Sequence, residues 1–295
     1  MTEAHAKPGR FDHLRGALRD FPPLAWSFLY FFFLLTGYYV LRPVRDAMGA
    51  SGDVEAVFPV AMVEWAAARG WALGEMTLQL LFTGTFIMML LLQPAYGALV
   101  SRYPRRVFLP VLYLFFIACL IGFYFLFGQQ IPGRGAVFFI WVAVFNLFAV
   151  SVFWSFMADI YTDIEARRLY GFIAAGGTIG GFTGPLITRV LVNQIGVPNL
   201  LLVSAGLLGL GVFCILRLGR WARLREAERG RSGAEQAMGG SMLAGLRLLR
   251  EQPLLQAMAI IMFFGVGVGT LLYNEQAAIA REFFPGDEAR TAYYA

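Results

Sequence analysis

Histidine is almost missing from this chain, and its two copies, His5 and His13, both fall in the first twenty residues. Without a histidine further on, no Ser/His/Asp or Cys/His set can assemble in the body of the protein. No acid pair faces a common cleft in an apolar segment either, so enzyme readings fail for lack of parts. Cysteine is equally scarce. Cys119 and Cys214 are the whole complement, and each lies inside an apolar run, which makes them packing residues rather than a disulfide or a metal pair. Nothing in the sequence calls for a metal or another cofactor. Charge is the third shortage: Asp, Glu, Lys and Arg are 15% of the 295 residues, against roughly 25% in an ordinary soluble domain.

What fills the chain instead is apolar, with 58% hydrophobic and 16% aromatic residues and a mean hydropathy of +0.63. The charges are also unevenly spread. Residues 21–41, 76–101, 107–133, 135–158, 169–188, 190–216 and 252–274 carry none, and each gap is 20 to 27 residues long. A helix needs about 20 apolar residues to cross about 30 Å of hydrocarbon, so the pattern predicts seven spanning helices and an all-α membrane protein. A β-barrel would need short alternating segments, and runs such as Leu109–Phe127 do not alternate.

The basic residues predict an orientation. The N-terminal tail and the connections after spans 2, 4 and 6 hold 17 of the lysines and arginines, and the other side holds seven. The positive-inside rule therefore puts the N-terminus in the cytoplasm of a multi-pass protein of the cell inner membrane. Topology explains the net charge of +5, and nucleic-acid binding need not be invoked.

Residues 1–20 read as a cytoplasmic tail, in which Phe11, Leu14, Leu18 and Phe21 suggest a short helix lying on the membrane surface. Residues 21–217 read as a six-helix bundle. Residues 218–252, rich in Arg, Glu and Gly, read as a basic cytoplasmic linker. Residues 253–295 then supply a seventh span and the start of a second bundle, as in a truncated transporter. Between spans 1 and 2, Val54–Ala68 is too short and too broken for a further span and reads as a helix near the outer surface.

Three stretches carry candidate function. GYYVLRPVRDAMG, Gly37 to Gly49, sets Arg42, Arg45 and Asp46 at the outer end of span 1, where the positive-inside rule disfavours arginine. GALVSRYPRR, Gly97 to Arg106, follows span 2 and places Arg102, Arg105 and Arg106 at the cytoplasmic side, with Asp159 at the end of span 4 as a possible counter-charge. In span 5, Gly176, Gly180 and Gly184 are four apart, as are Gly177 and Gly181, which leaves two helix stripes without side chains for close packing in lipid, and Pro185 predicts a bend. Polar groups within or at the ends of spans, Tyr38, Tyr39, Asn146 and Glu275 together with Trp154, Ser155, Asn274 and Gln276, are candidates to line a cavity.

Six helices, a basic linker and the start of more helices resemble the major facilitator superfamily, whose halves are repeats of inverted three-helix units. The Gly97–Arg106 loop resembles that superfamily's signature between helices 2 and 3, with Ser101 where the signature has an acid and Pro104 where it has a second glycine. The resemblance implies that this loop braces an inward gate. More specifically, FWSFMADIYTDIEARRLYGFIAAGGTIGGFTGP, Phe153 to Pro185, resembles the helix 4 to helix 5 region of the ATP/ADP translocase family and its bacterial relatives. YYVLRPVRD resembles the helix-1 motif of that family, and YNEQA, Tyr273 to Ala277, the start of its second half. The chain departs from the nucleotide exchangers in having Arg45 for a lysine and no acid from 135 to 158.

The resulting expectation is a secondary transporter that moves a small organic anion, nucleotide-like by the resemblance, through alternating access in the lipid bilayer. Arg42 and Arg45 would attract the anion, and Asp46 would hold Arg42 through an i to i+4 pair. Two alternatives stay open: a non-transporting, transporter-like scaffold or receptor, and an incomplete fragment without function. Oligomeric state is not readable from the sequence.

Overall fold

In hydrocarbon a segment must satisfy its own backbone hydrogen bonds, so a long apolar stretch without strand partners folds as a helix. The computed structural model describes the backbone of residues 10–102, 105–129, 131–229, 249–284 and 286–295, and the side chains of 22–94, 108–129, 131–223, 249–284 and 286–295. Its elements are α1 (Arg10–Gly49), α2 (Val54–Val57), α3 (Val60–Ala67), α4 (Leu73–Arg102), α5 (Arg105–Gly128), α6 (Arg134–Ile160), α7 (Asp163–Arg229), α8 (Pro253–Phe283) and α9 (Asp287–Tyr294). Among the described residues there is no strand.

Six of these helices are long and apolar enough to cross a membrane. α7 has 67 residues, and a straight helix of that length would reach about 100 Å, three times the hydrocarbon thickness. It is broken at Gly196, whose φ of 77° and ψ of 166° belong to a region that is essentially glycine-only. The pattern of contacts shows that the chain turns back there. Along α1, Phe28, Phe32 and Thr36 meet Gly176, Gly180 and Gly184 in rising order. Trp26, Tyr30 and Gly37 meet Phe213, Gly211 and Ser204 in falling order. Residues 163–195 therefore run parallel to α1 and residues 197–229 antiparallel to it, and the expected spans 5 and 6 are the two arms of this hairpin.

The first arm approaches α1 at backbone distance. A Cβ added at Gly176 would lie 2.6 Å from the Phe28 carbonyl oxygen, one at Gly180 2.7 Å from the Phe32 oxygen, and one at Gly184 2.8 Å from the Thr36 oxygen. Hydroxyls stitch the same contacts: Thr188 donates to the Val40 carbonyl at 3.2 Å, and Ser204 on the second arm to that of Gly37 at 2.9 Å. Pro185 keeps helical dihedrals in this arm, and the break falls at Gly196 instead.

α5 and α6 complete the main core. Phe31 stacks on Phe153 with ring centres 4.2 Å apart, and Trp141 on Phe145 at 5.4 Å. Tyr30 donates to the Tyr113 hydroxyl at 2.8 Å, and Tyr113 donates to the Ala149 carbonyl at 3.1 Å, so a buried polar chain ties α1, α5 and α6. α7 opens with a reciprocal cap in which the Thr162 amide donates to Glu165 Oε2 at 2.9 Å and the Glu165 amide to the Thr162 hydroxyl at 3.5 Å.

Two local expectations need correction. The tail helix is not a separate surface element: the backbone is helical without a break from Arg10 into span 1, running through Pro22 and Pro23. Val54–Ala68 is not one helix but two, with Pro59 at the cap of α3. Its first part is no surface layer either, since Val57 and Phe58 are buried against Leu78, Leu81 and Phe139. α8 is buried toward its C-terminal end, at Ala277 and Ala280, and exposes its remaining apolar length.

Gly180→Ala is expected to lower thermal stability in detergent by about 1–3 kcal/mol, since the methyl has a backbone carbonyl to displace. Gly206→Ala, where an added methyl meets open space, should leave the melting temperature unchanged or raised. Equal melting curves for the two variants would contradict the seam described here.

Candidate functional site

α1 continues past its apolar run to Gly49, so Arg42, Arg45 and Asp46 sit on its last two turns among buried Val44, Ala47 and Met48. A carboxylate there cannot stay ionised without partners. Asp46 is 5% exposed and has three. Arg45 places Nε at 2.8 Å and one terminal nitrogen at 2.6 Å from Oδ1. The Tyr273 hydroxyl donates to the same oxygen at 2.8 Å from α8. Arg42 Nε lies 3.7 Å from Oδ2.

The neighbouring helices hold these groups in place. Arg45 lies over the Phe139 ring of α6 at 5.1 Å, and Arg42 over the Tyr39 ring at 5.7 Å. Phe82 of α4 packs on both Phe139 and Tyr273, with ring centres 5.8 and 5.7 Å away. Two further arginines bind the same end of the molecule together. Arg281 of α8 donates to the Gly74 carbonyl at 2.6 Å, and buried Arg290 of α9 to Asp287 at 2.7 Å and to the Ser51 hydroxyl at 3.5 Å. Burial first, and the Asp46 charge second, hold the Tyr294 phenol well above the usual tyrosine range, so it stays neutral at physiological pH.

The structure thus gathers Tyr38, Tyr39, Arg42, Arg45 and Asp46 at one end of α1, with Tyr38 and Tyr39 in edge contact at 5.0 Å. Asn146 is half-buried midway along α6, next to Phe145, whose ring lies 6.4 Å from that of Tyr38. Glu275 is exposed on α8, and it is Tyr273, two residues earlier, that reaches Asp46. Gly97, Arg102, Arg105 and Arg106 fall where side chains lie outside the described residues, and Asp159 is exposed on the last turn of α6. Gly176, Gly180 and Gly184 face the α1 backbone, Gly177 faces Phe31 and Leu35, and Gly181 faces Tyr39. The sequence reading missed Tyr273, Arg281 and Arg290. A signal for the first was present: Tyr273, Ala277 and Ala280 share one helix face, and small residues at that spacing mark a face that docks.

The arrangement is a helix end with two guanidiniums, one carboxylate and a hydroxyl arriving from α8. A family model described as Major Facilitator Superfamily matches residues 54–280. The chain belongs to the major facilitator superfamily. No curated protein and no solved structure matches it. Proteins of the major facilitator superfamily are generally transporters rather than enzymes, and with its apolar spanning helices this member is a multi-pass membrane transporter whose setting is lipid and whose substrate is a small molecule. The matched region contains the α7 hairpin and Tyr273 and begins after Asp46, so the charges on α1 stand on their own geometry.

Asp46→Asn leaves Arg45 buried without its counter-charge and is expected to cost about 3 kcal/mol of stability. Tyr273→Phe removes one hydrogen bond to a charged acceptor and is expected to cost about 1.5–3 kcal/mol. Thermal unfolding in detergent checks both, and a Tyr273→Phe protein as stable as the wild type would show that the α1 to α8 bridge contributes nothing.

Proposed function

We propose that the protein is a secondary transporter which moves a small organic anion by alternating access, with Arg42 and Arg45 as the anion site. The observation that carries this is the imbalance of charge on α1: two guanidiniums face one carboxylate, and the more exposed of them, Arg42 with 45% of its side chain accessible, is the one held more loosely. A positive site set in low-dielectric walls concentrates anions, and guanidiniums bind carboxylates and phosphates in two-point fashion. An anion arriving at Arg42 competes with Asp46 for the two cations. Asp46 also holds Tyr273, so anion binding loosens the link to α8, and substrate entry and the rocking of the two units are coupled.

The nucleotide-exchanger-like branch is supported by the meeting of two motifs. YYVLRPVRD and YNEQA lie 227 residues apart at Asp46 and Tyr273, and they are joined by one hydrogen bond. Arg45 in place of lysine keeps the positive charge, while the lack of an acid in 135–158 widens the substrate class from adenine nucleotides to organic anions generally. Orientation follows the basic residues, with the N-terminus in the cytoplasm of the cell inner membrane and Arg42 to Asp46 outside. Gly97, Arg102, Arg105 and Arg106, with Asp159 as counter-charge, form the cytoplasmic gate in this reading.

Proteoliposome uptake of labelled phosphate, nucleotides and dicarboxylates tests it. At least one anion should be taken up, and Arg42→Gln should lower the rate about tenfold or more, the equivalent of one charge-assisted contact, with little change in melting temperature. Absence of uptake for every anion, or transport indifferent to Arg42, would reject the proposal.

A further inference from the structure

Beside the charged end of α1 lies a groove of about 400 Å³, lined by Phe31, Leu35 and Tyr39 of α1 and by Ala174, Gly177, Thr178, Gly181 and Phe182 of the first arm of α7. We infer that this groove is a subsite for a flat aromatic portion of the transported anion, whose charged end is held at Arg42. The inference rests on the anion-transport reading above and adds a second, uncharged half to that site.

Three observations carry it. The volume is that of a small-molecule site, within roughly 300–1,000 Å³. The walls suit a flat ring: three of the eight lining residues are aromatic and two are glycines. The groove also runs into the charge. Phe31, Leu35, Tyr39 and Arg42 follow one another at spacings of four, four and three along a single face of α1. Tyr39 is the shared wall: it lines the groove, and the Arg42 guanidinium lies over its ring at 5.7 Å. An uncharged apolar chain would fill the slot but leave Arg42 without an anion at that end. An aromatic carboxylate or aryl phosphate satisfies both halves.

The glycine geometry supplies a clean test. A Cβ at Gly184 collides with backbone, whereas one at Gly181 meets Tyr39 at 3.5 Å, an ordinary contact. Gly181→Leu therefore adds bulk to the groove at a position where the first added carbon meets no backbone. Phe182 is 79% exposed, so Phe182→Ala removes a wall without touching the core. Binding to the full chain in nanodiscs is measured for two matched pairs, phenyl phosphate against inorganic phosphate and benzoate against acetate. The wild type is expected to prefer the aromatic member of at least one pair by about tenfold, the gain from burying a ring against aromatic side chains. Gly181→Leu is expected to abolish that preference while the ring-free anion binds as before, and Phe182→Ala to reduce it at unchanged melting temperature.

A wild type that binds the ring-free anion with no aromatic preference overturns this inference and leaves the transport reading standing. A preference that survives both variants also overturns it, the groove then belonging to a lipid chain or another helix. If no anion of either pair binds, the anion site fails and the subsite fails with it.

Discussion

The close approach of α1 to the first arm of α7 governs the rest of the molecule. Lipid tails are as apolar as leucine, so two helices gain little in a membrane merely by hiding apolar surface, and they associate where small residues let their backbones come near. Gly176, Gly180 and Gly184 do this against the carbonyls of Phe28, Phe32 and Thr36. The turn at Gly196 then returns the second arm to the other side of α1, where Ser204 bonds the Gly37 carbonyl. Gripped from two sides, α1 has a fixed rotation about its axis. That rotation decides that Phe31, Leu35, Tyr39 and Arg42 border a groove while Asp46 turns toward α8.

Buried charge is the second constraint. A carboxylate at the rim of an apolar bundle is costly, which marks the position as a candidate for a role beyond stability. All the closest donors converge on one of its oxygens, Oδ1, and Arg42 stands off the other. The group is therefore shared between a partner on its own helix, a partner on α8 and an accessible cation. Under the proposed anion-transport function, such a shared carboxylate would tie anion entry to the contact between α1 and α8, which is what alternating access asks of a gate. The aromatic packing around it, Phe82 and Phe139 above all, keeps the donors oriented.

Much of the fold was readable in one dimension. The seven charge-free stretches correspond to α1, α4, α5, α6, the two arms of α7 and α8, because hydrophobic length against bilayer thickness is a local property. The ends were less readable. Despite Pro22, Pro23 and Pro43, α1 runs back to Arg10 and on to Gly49, beyond the apolar run at both ends. At the site, the cluster of Arg42, Arg45 and Asp46 was visible as a motif, but its strongest pairing was not. Helix spacing favours i to i+4, whereas Arg45 folds onto the adjacent Asp46, with its guanidinium over the Phe139 ring of α6.

The sequence by itself determined the number of spanning segments, the glycine spacing of the seam and the presence of excess positive charge beside Tyr38 and Tyr39, since all of these follow from periodicity and composition along the chain. Only the tertiary structure decided that Tyr273 and not Glu275 reaches the charges, and that an aromatic groove opens next to Arg42. Both depend on which faces of helices far apart in sequence are brought together, and the register that brings them together is set by packing in three dimensions.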